Sequence, residues 1–187
     1  DVVLAGALNT PEQVKALEDL DIRVYVLVNP ADFDSLFAQL QTIGQITGHA
    51  AEADTLVAGL QARVQAVENK ILPLSYAPLV FYELDGSDPA KPWTPGPNTF
   101  VSMLIRMAGG INIGDSLGSD WAQISQEALI QQNPAIILLG DAAYGVTPGQ
   151  VAQRPGWDVL QAVKDGQVLA FDDDLVSRPG PRMVDGL

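Results

Sequence analysis

The residues of this chain that carry reactive or ligand-binding chemistry are a serine framed by glycines, small groups of carboxylates, and tryptophans outside any regular pattern. Ser116 sits in Gly114-Asp115-Ser116-Leu117-Gly118. That segment fits both the G-x-S-x-G elbow and the shorter G-D-S-L pattern of a serine nucleophile. An elbow needs a strand before the serine, a helix after it and a histidine later in the chain as base. Here Gly109-Gly110 and an irregular stretch precede the serine, and the single histidine, His49, lies upstream. Without a base the hydroxyl is a weak nucleophile. The segment therefore reads as a Gly-Ser loop, and an esterase acting through Ser116 is an outlying alternative.

The carboxylate groups are Asp85 with Asp88, and Asp172-Asp173-Asp174. Paired carboxylates serve acid–base work or calcium. The aspartate run, however, directly follows an apolar strand and has no EF-hand spacing, so it reads as a solvated loop. Residues 109–114 lack the order of a dinucleotide fingerprint, and no G-K-[ST] is present; their glycines read as a helix stop. His49 reads as a surface or capping residue. Trp93, in Pro92-Trp93-Thr94-Pro95-Gly96, and Trp121, in Ser119-Asp120-Trp121-Ala122, are more informative. A loop indole is a large, stiff surface that can anchor a ligand, or it covers the edge of a core. Both readings stand for Trp121, and the core-edge reading leads for Trp93. Trp157, in step with Leu160, reads as core. Glu127 follows Ser125 in the first turn of a helix, where a carboxylate is favoured by about 0.3–1 kcal/mol.

Composition removes whole classes of function. Of 187 residues, 47% are hydrophobic and 18% charged, which excludes a disordered chain and supplies a core. With 23 acidic and 10 basic residues the net charge is −13. Such a surface repels phosphate backbones and anionic bilayers, so neither nucleic acid nor a membrane surface is the partner. The absence of cysteine removes disulfides, thiolate metal sites and cysteine nucleophiles, and one histidine cannot build an imidazole zinc site. No metal site is expected; one would rest on carboxylates alone. No stretch approaches the roughly 20 apolar residues that span a bilayer. The chain opens on Asp1-Val2-Val3-Leu4-Ala5, already in a strand, and closes on Val184-Asp185-Gly186-Leu187, so both ends read as cut from a longer protein.

The elements that must position these residues follow from periodicity. A strand over residues 2–5, a helix opened by the capping box Thr10-Pro11-Glu12-Gln13, and a strand through Val24–Val28 make a strand–helix–strand unit and predict a parallel sheet. Phe33, Leu36, Phe37, Leu40 and Ile43 form a helical stripe that stops near Gly48. Ala53, Leu56, Val57, Leu60, Val64, Val67 and Ile71 predict a helix over 50–71, a rod of about 30 Å. A second α/β unit starts at the strand Leu79–Tyr82. It continues through a loop over 83–98, a helix over 99–108, an irregular stretch over 111–124 and a helix over 126–132. Strands at Ile136–Leu139 and Val168–Phe171 and a helical segment through Trp157, Leu160 and Val163 complete it.

In that order, several segments resemble the substrate-binding proteins of ABC importers for vitamin B12 and iron–siderophores. They are Phe81-Tyr82-Glu83, Trp93-Thr94-Pro95-Gly96 with Asn98-Thr99-Phe100, Ala108-Gly109-Gly110-Ile111-Asn112-Ile113, and Trp121-Ala122-Gln123-Ile124-Ser125-Gln126-Glu127. Asn133-Pro134, Arg154-Pro155-Gly156-Trp157, Ala162-Val163-Lys164-Asp165-Gly166-Gln167-Val168 and Ser177-Arg178-Pro179-Gly180-Pro181-Arg182 continue the pattern. The resemblance implies a two-lobe α/β binding protein bridged by one long helix and present as a fragment. Residues 1–31 would be part of the N-terminal lobe, 32–75 the helical segment with the interlobe helix, and 76–187 the C-terminal lobe. It further implies a protein without catalysis or cofactor, located outside the cytoplasm, either periplasmic or lipid-anchored. That protein would capture a corrinoid or a ferric siderophore and deliver it to an ABC permease. By the same resemblance Trp121 lines the ligand cleft, Glu127 docks into an arginine pocket on the permease, and Arg178 stands near the cleft mouth. For Arg178-Pro179-Gly180-Pro181 a rigid turn is an equal reading. Trp93 and Tyr82 complete the expected ligand contacts. A haem-binding protein of the same architecture is the alternative, with Tyr25, Tyr76, Tyr82 and Tyr144 as its phenolates.

Overall fold

The computed structural model describes residues 2–6 and 8–187; Asp1, which the sequence puts at the head of the opening strand, lies outside them. Two compact units result, residues 1–62 with 179–181, and residues 63–178 with 182–187. In the first, β1 (Val2–Ala5) pairs in parallel with β2 (Arg23–Val26), Val2 opposite Arg23. The connecting helix α1 (Pro11–Glu18) starts where the sequence says it must. Thr10 Oγ1 accepts from the Gln13 amide at 3.3 Å, and Gln13 Oε1 accepts from the Thr10 amide at 2.9 Å. Helix α2 (Phe33–Thr47) buries Phe33, Leu36 and Phe37 and ends on Gly48, whose φ of +80° suits glycine. Phe33 and Phe37 stack at 5.7 Å.

Helix α3 (Ala50–Ile71) has the predicted bounds, and the division between the units falls inside it. Its buried ridge is Val57, Leu60 and Val64, spaced three and four apart. Leu56, expected on the same face, is 44% exposed. One residue is a step of about 100° on a helix, which carries Leu56 off a ridge centred on Val57.

The second unit is built on a four-stranded parallel sheet. Its strands are β3 (Leu79–Glu83), β5 (Ile111–Asn112), β7 (Ile136–Leu139) and β8 (Val168–Ala170), in the order β5-β3-β7-β8. Phe81, Ile137 and Leu139 are fully buried, as near-continuous apolar strands covered on both faces must be. Around them pack Leu129 of α5 (Gln126–Gln132), Val151 of α6 (Pro148–Ala152), Trp157, Leu160 and Ala162. Trp157 is core as expected but stands in a run of turns; the helix there, α7, is confined to Gln161–Lys164. The chain also forms α4 (Phe100–Met107) and α8 (Asp174–Ser177).

Strand β5 and helix α8 fall where an irregular stretch and a solvated loop are expected, and a two-stranded ribbon also has no counterpart in the expected secondary structure. β4 (Trp93–Pro95) and β6 (Trp121–Gln123) pair antiparallel as a two-stranded ribbon, where a loop and an irregular stretch are predicted. Each strand has three residues, too few to show alternation, and Pro95 argues locally against a strand. The ribbon is held by tertiary contact instead. The Trp93 amide donates to Asp85 O at 2.9 Å, and the Leu84 amide donates to Trp93 O at 2.9 Å.

Candidate functional site

The ribbon determines what its tryptophans can do. Pro95 lies opposite Trp121 and Trp93 opposite Gln123, so by strand alternation both indoles stand on the same face. Thr94, on the other face, is fully buried, whereas Trp93 is 39% and Trp121 52% exposed. Two large aromatic surfaces turned to solvent from one short ribbon are costly unless something covers them.

The ribbon is tied to the carboxyl end of β3. That strand starts the sheet; the chain then adds β5 on one side of it and β7 on the other. The strand order therefore reverses between β3 and β7, and open parallel sheets hold their ligands in the crevice beyond such a point. A cavity of about 440 Å³ lies there, lined by Leu84, Asp85, Gly86, Ser87, Asp141, Tyr144 and Val146.

Under it sits a charge cluster that the sequence did not single out. Glu83, the last residue of β3, is fully buried and held by both terminal nitrogens of Arg154, one of them at 2.9 Å. The guanidinium carbon lies 4.5 Å from the centre of the Trp157 ring, a cation–π contact. Burial pushes the Glu83 carboxyl above its usual range, Arg154 pulls it back, and the negative charge of Asp141 pushes it up again. Asp141 is 5% exposed. Its Oδ2 accepts from the Gly86 amide at 2.9 Å, and its Oδ1 is buried without a hydrogen-bond partner. Gly86 is glycine because a Cβ there would collide with Arg154 and with the Glu83 carboxylate. Gly86→Ala is expected to cost about 1–3 kcal/mol by overpacking and to lower the thermal midpoint followed by circular dichroism; an unchanged midpoint would mean that the pair has room to move.

The remaining expected residues fall as follows. Tyr82 is 1% exposed, so of the four expected ligand contacts it is the one whose ring does not face solvent. Its hydroxyl donates to Asp173 Oδ1 at 2.6 Å, its ring meets Phe171 edge-on, and burial drives its pKa far up. Asp173 is thereby tied to the sheet rather than being only a solvated loop residue. Arg178 is exposed and pairs with Asp174 at 2.9 Å. Glu127 is exposed in the first turn of α5, whose amide at Ala128 is already capped by Ser125 at 3.2 Å. Ser116 Oγ donates to Ile113 O at 2.9 Å and accepts from Gln132 at 3.0 Å, so its hydroxyl serves a turn. Among the described residues no group of three metal-ligating side chains is placed to hold an ion, and no helix is long and apolar enough to cross a membrane.

Comparison with known proteins agrees with this architecture. The chain is 28% identical over 191 residues to the uncharacterized ABC transporter substrate-binding lipoprotein YvrC of Bacillus subtilis, covering all of this chain and 59% of that protein. It is 29% identical over 197 residues to a cobalamin-binding protein of Halobacterium salinarum, covering 99% of this chain and 50% of the relative. The chain thus spans between half and about three fifths of the length of these curated relatives. A possible iron-binding periplasmic solute-binding protein of Staphylococcus epidermidis superposes with a TM-score of 0.82 at 26% identity, over all of this chain and 72% of that one. The α/β fold is that of these binding proteins, and the family described as periplasmic binding protein matches residues 1–175: the chain belongs to that family.

Proposed function

We propose that the chain is the ligand-capturing part of an extracytoplasmic substrate-binding component of an ABC importer, taking a corrinoid or an iron–siderophore and passing it to the permease. On this reading residues 1–31 belong to one lobe, 32–75 carry the connecting helix and 76–187 form the other lobe. The observation that carries it is the pair of exposed indoles on one face of the β4–β6 ribbon, attached to the switch point of the parallel sheet. Rigid aromatic anchors beside a preformed crevice suit a large, partly planar ligand. Relatives named for cobalamin and for iron binding support the same ligand classes. Trp93 and Trp121 are the stacking surfaces in this reading and Arg178 a rim contact, while Tyr82 acts through Asp173.

The test is a titration of tryptophan fluorescence with cyanocobalamin, dicyanocobinamide and a set of ferric hydroxamate and catecholate siderophores. Saturable quenching by one class is expected, and silence toward all of them would overturn the proposal. Trp121→Ala is expected to cost about 2 kcal/mol of binding at an unchanged thermal midpoint, because a side chain half in solvent contributes little to the core. An unchanged dissociation constant in that variant would remove Trp121 from the contact surface. A haem ligand is the second reading, favoured by Tyr144, an exposed phenol at the cavity. A shifted Soret band that Tyr144→Phe abolishes would select it.

A further inference from the structure

We propose, building on the ligand-binding reading above, that the cavity at the β3–β7 switch point receives an amide or ammonium group of the ligand, and that Asp141 with Asp85 selects that group against a carboxylate. The cavity, at about 440 Å³, is large enough for a ligand side group or a compact ligand. Its polar lining is all acceptor or neutral: Asp85, Asp141, and the hydroxyls of Ser87 and Tyr144. Arg154, the cation that lies against Gly86 of the lining, has both terminal nitrogens committed to Glu83, and its side chain is only 10% exposed. An anion entering the cavity therefore meets two carboxylates and no free positive charge.

Asp141 is fixed at the cavity wall. One of its oxygens is held by the Gly86 amide, which fixes the carboxylate against the loop that follows β3. The other is shut off from water and has no hydrogen-bond partner. That oxygen is closed to the cavity and lies beside the Glu83 carboxyl, so Asp141 acts on a ligand through its negative charge, which favours an N–H donor or a cation and opposes a carboxylate. The second carboxylate, Asp85, is exposed and lies on the cavity wall, where it attracts a cation before contact. The arrangement matches ligands whose periphery carries primary amides or an amine, and it disfavours ligands that present carboxylates at that point.

Matched ligand pairs test this. One pair is dicyanocobinamide and dicyanocobyrinic acid, in which carboxylates replace the side-chain amides. The other is ferrioxamine B, with its pendant ammonium, and its N-acetylated form. In the class that binds, the amide or ammonium member is expected to bind about tenfold or more tightly. Asp141→Asn keeps an acceptor for the Gly86 amide but removes the charge, and it is expected to erase most of that preference. Asp85→Asn, at an exposed position, is expected to reduce it without affecting folding, so the result does not hang on one variant. Binding without preference, or a preference that survives both substitutions, overturns this inference while leaving the ligand-binding reading standing. Failure of every ligand to bind overturns both.

Discussion

Replacing Arg154 by methionine is expected to destabilise the second unit by about 3–5 kcal/mol, the cost of stranding a buried charge. Glu83 is fully buried and Arg154 is its counter-ion; Asp141 stands beside it with the same sign of charge. Methionine preserves much of the side-chain volume against Trp157 but gives up the cation–π contact, a smaller effect of about 0.5–2 kcal/mol. Electrostatics therefore dominates, and pH separates the two. The Glu83 carboxyl is already raised by burial, and loss of Arg154 raises it further. Folded Glu83 then prefers to be protonated, so its contribution is fully favourable below the usual carboxylate range and is lost as pH rises through the elevated value. The deficit of Arg154→Met relative to the parent should thus be small in acid and grow toward neutral pH. The double variant Glu83→Gln, Arg154→Met removes both charges and should recover most of the loss, because replacing a buried pair is far cheaper than breaking it. Denaturant midpoints at several pH values measure this. A single-variant cost under about 1 kcal/mol with no pH trend would show that water reaches Glu83.

This cluster marks the limit of what the sequence discloses. The parallel sheet is legible in the apolar runs ending at Tyr82, Leu139 and Phe171, and the start of α1 is legible in Thr10, with a glutamine three residues on. Local pattern is enough there because strand burial and capping are local effects. Glu83 and Arg154 are 71 residues apart, and Asp141 is 55 residues from Gly86. Each charge is unremarkable in its own segment, and only the convergence of β3, the end of β7 and the turns before Trp157 makes them one site. The faint signal was a glutamate closing an otherwise apolar strand. Trp93 and Trp121 were visible as indoles without periodicity, but their common face was not, since it depends on the β4–β6 pairing. Glu127 became a candidate through resemblance alone. Its own surroundings describe only an acidic residue in a first turn.

On the importer reading proposed above, substituting that residue by alanine is expected to weaken association with the permease by about 2–5 kcal/mol if the carboxylate is desolvated against arginine in the complex, while ligand affinity stays within about twofold of the parent. The local cost to the helix is the competing effect. A carboxylate in a first turn contributes about 0.3–1 kcal/mol, and here the Ala128 amide is already satisfied by Ser125, so Glu127 is not needed to cap α5. The docking term exceeds the helix term severalfold, and a stable protein with a defective partner interaction is the predicted phenotype. Salt gives an independent reading. Long-range steering between an acidic binding protein, here at −13, and a basic pocket is screened over about 8–10 Å at physiological ionic strength, so association of the parent should slow as salt is added. Loss of a buried contact shows mainly in dissociation, so Glu127→Ala should dissociate faster at every salt concentration and retain nearly the parental salt slope. Glu127→Asp, which keeps the charge but shortens the reach, should fall between the two. Binding kinetics on permease in nanodiscs measures all three proteins. An equal loss of ligand affinity in Glu127→Ala would place the residue in the ligand site instead, and unchanged dissociation would remove it from the docking surface.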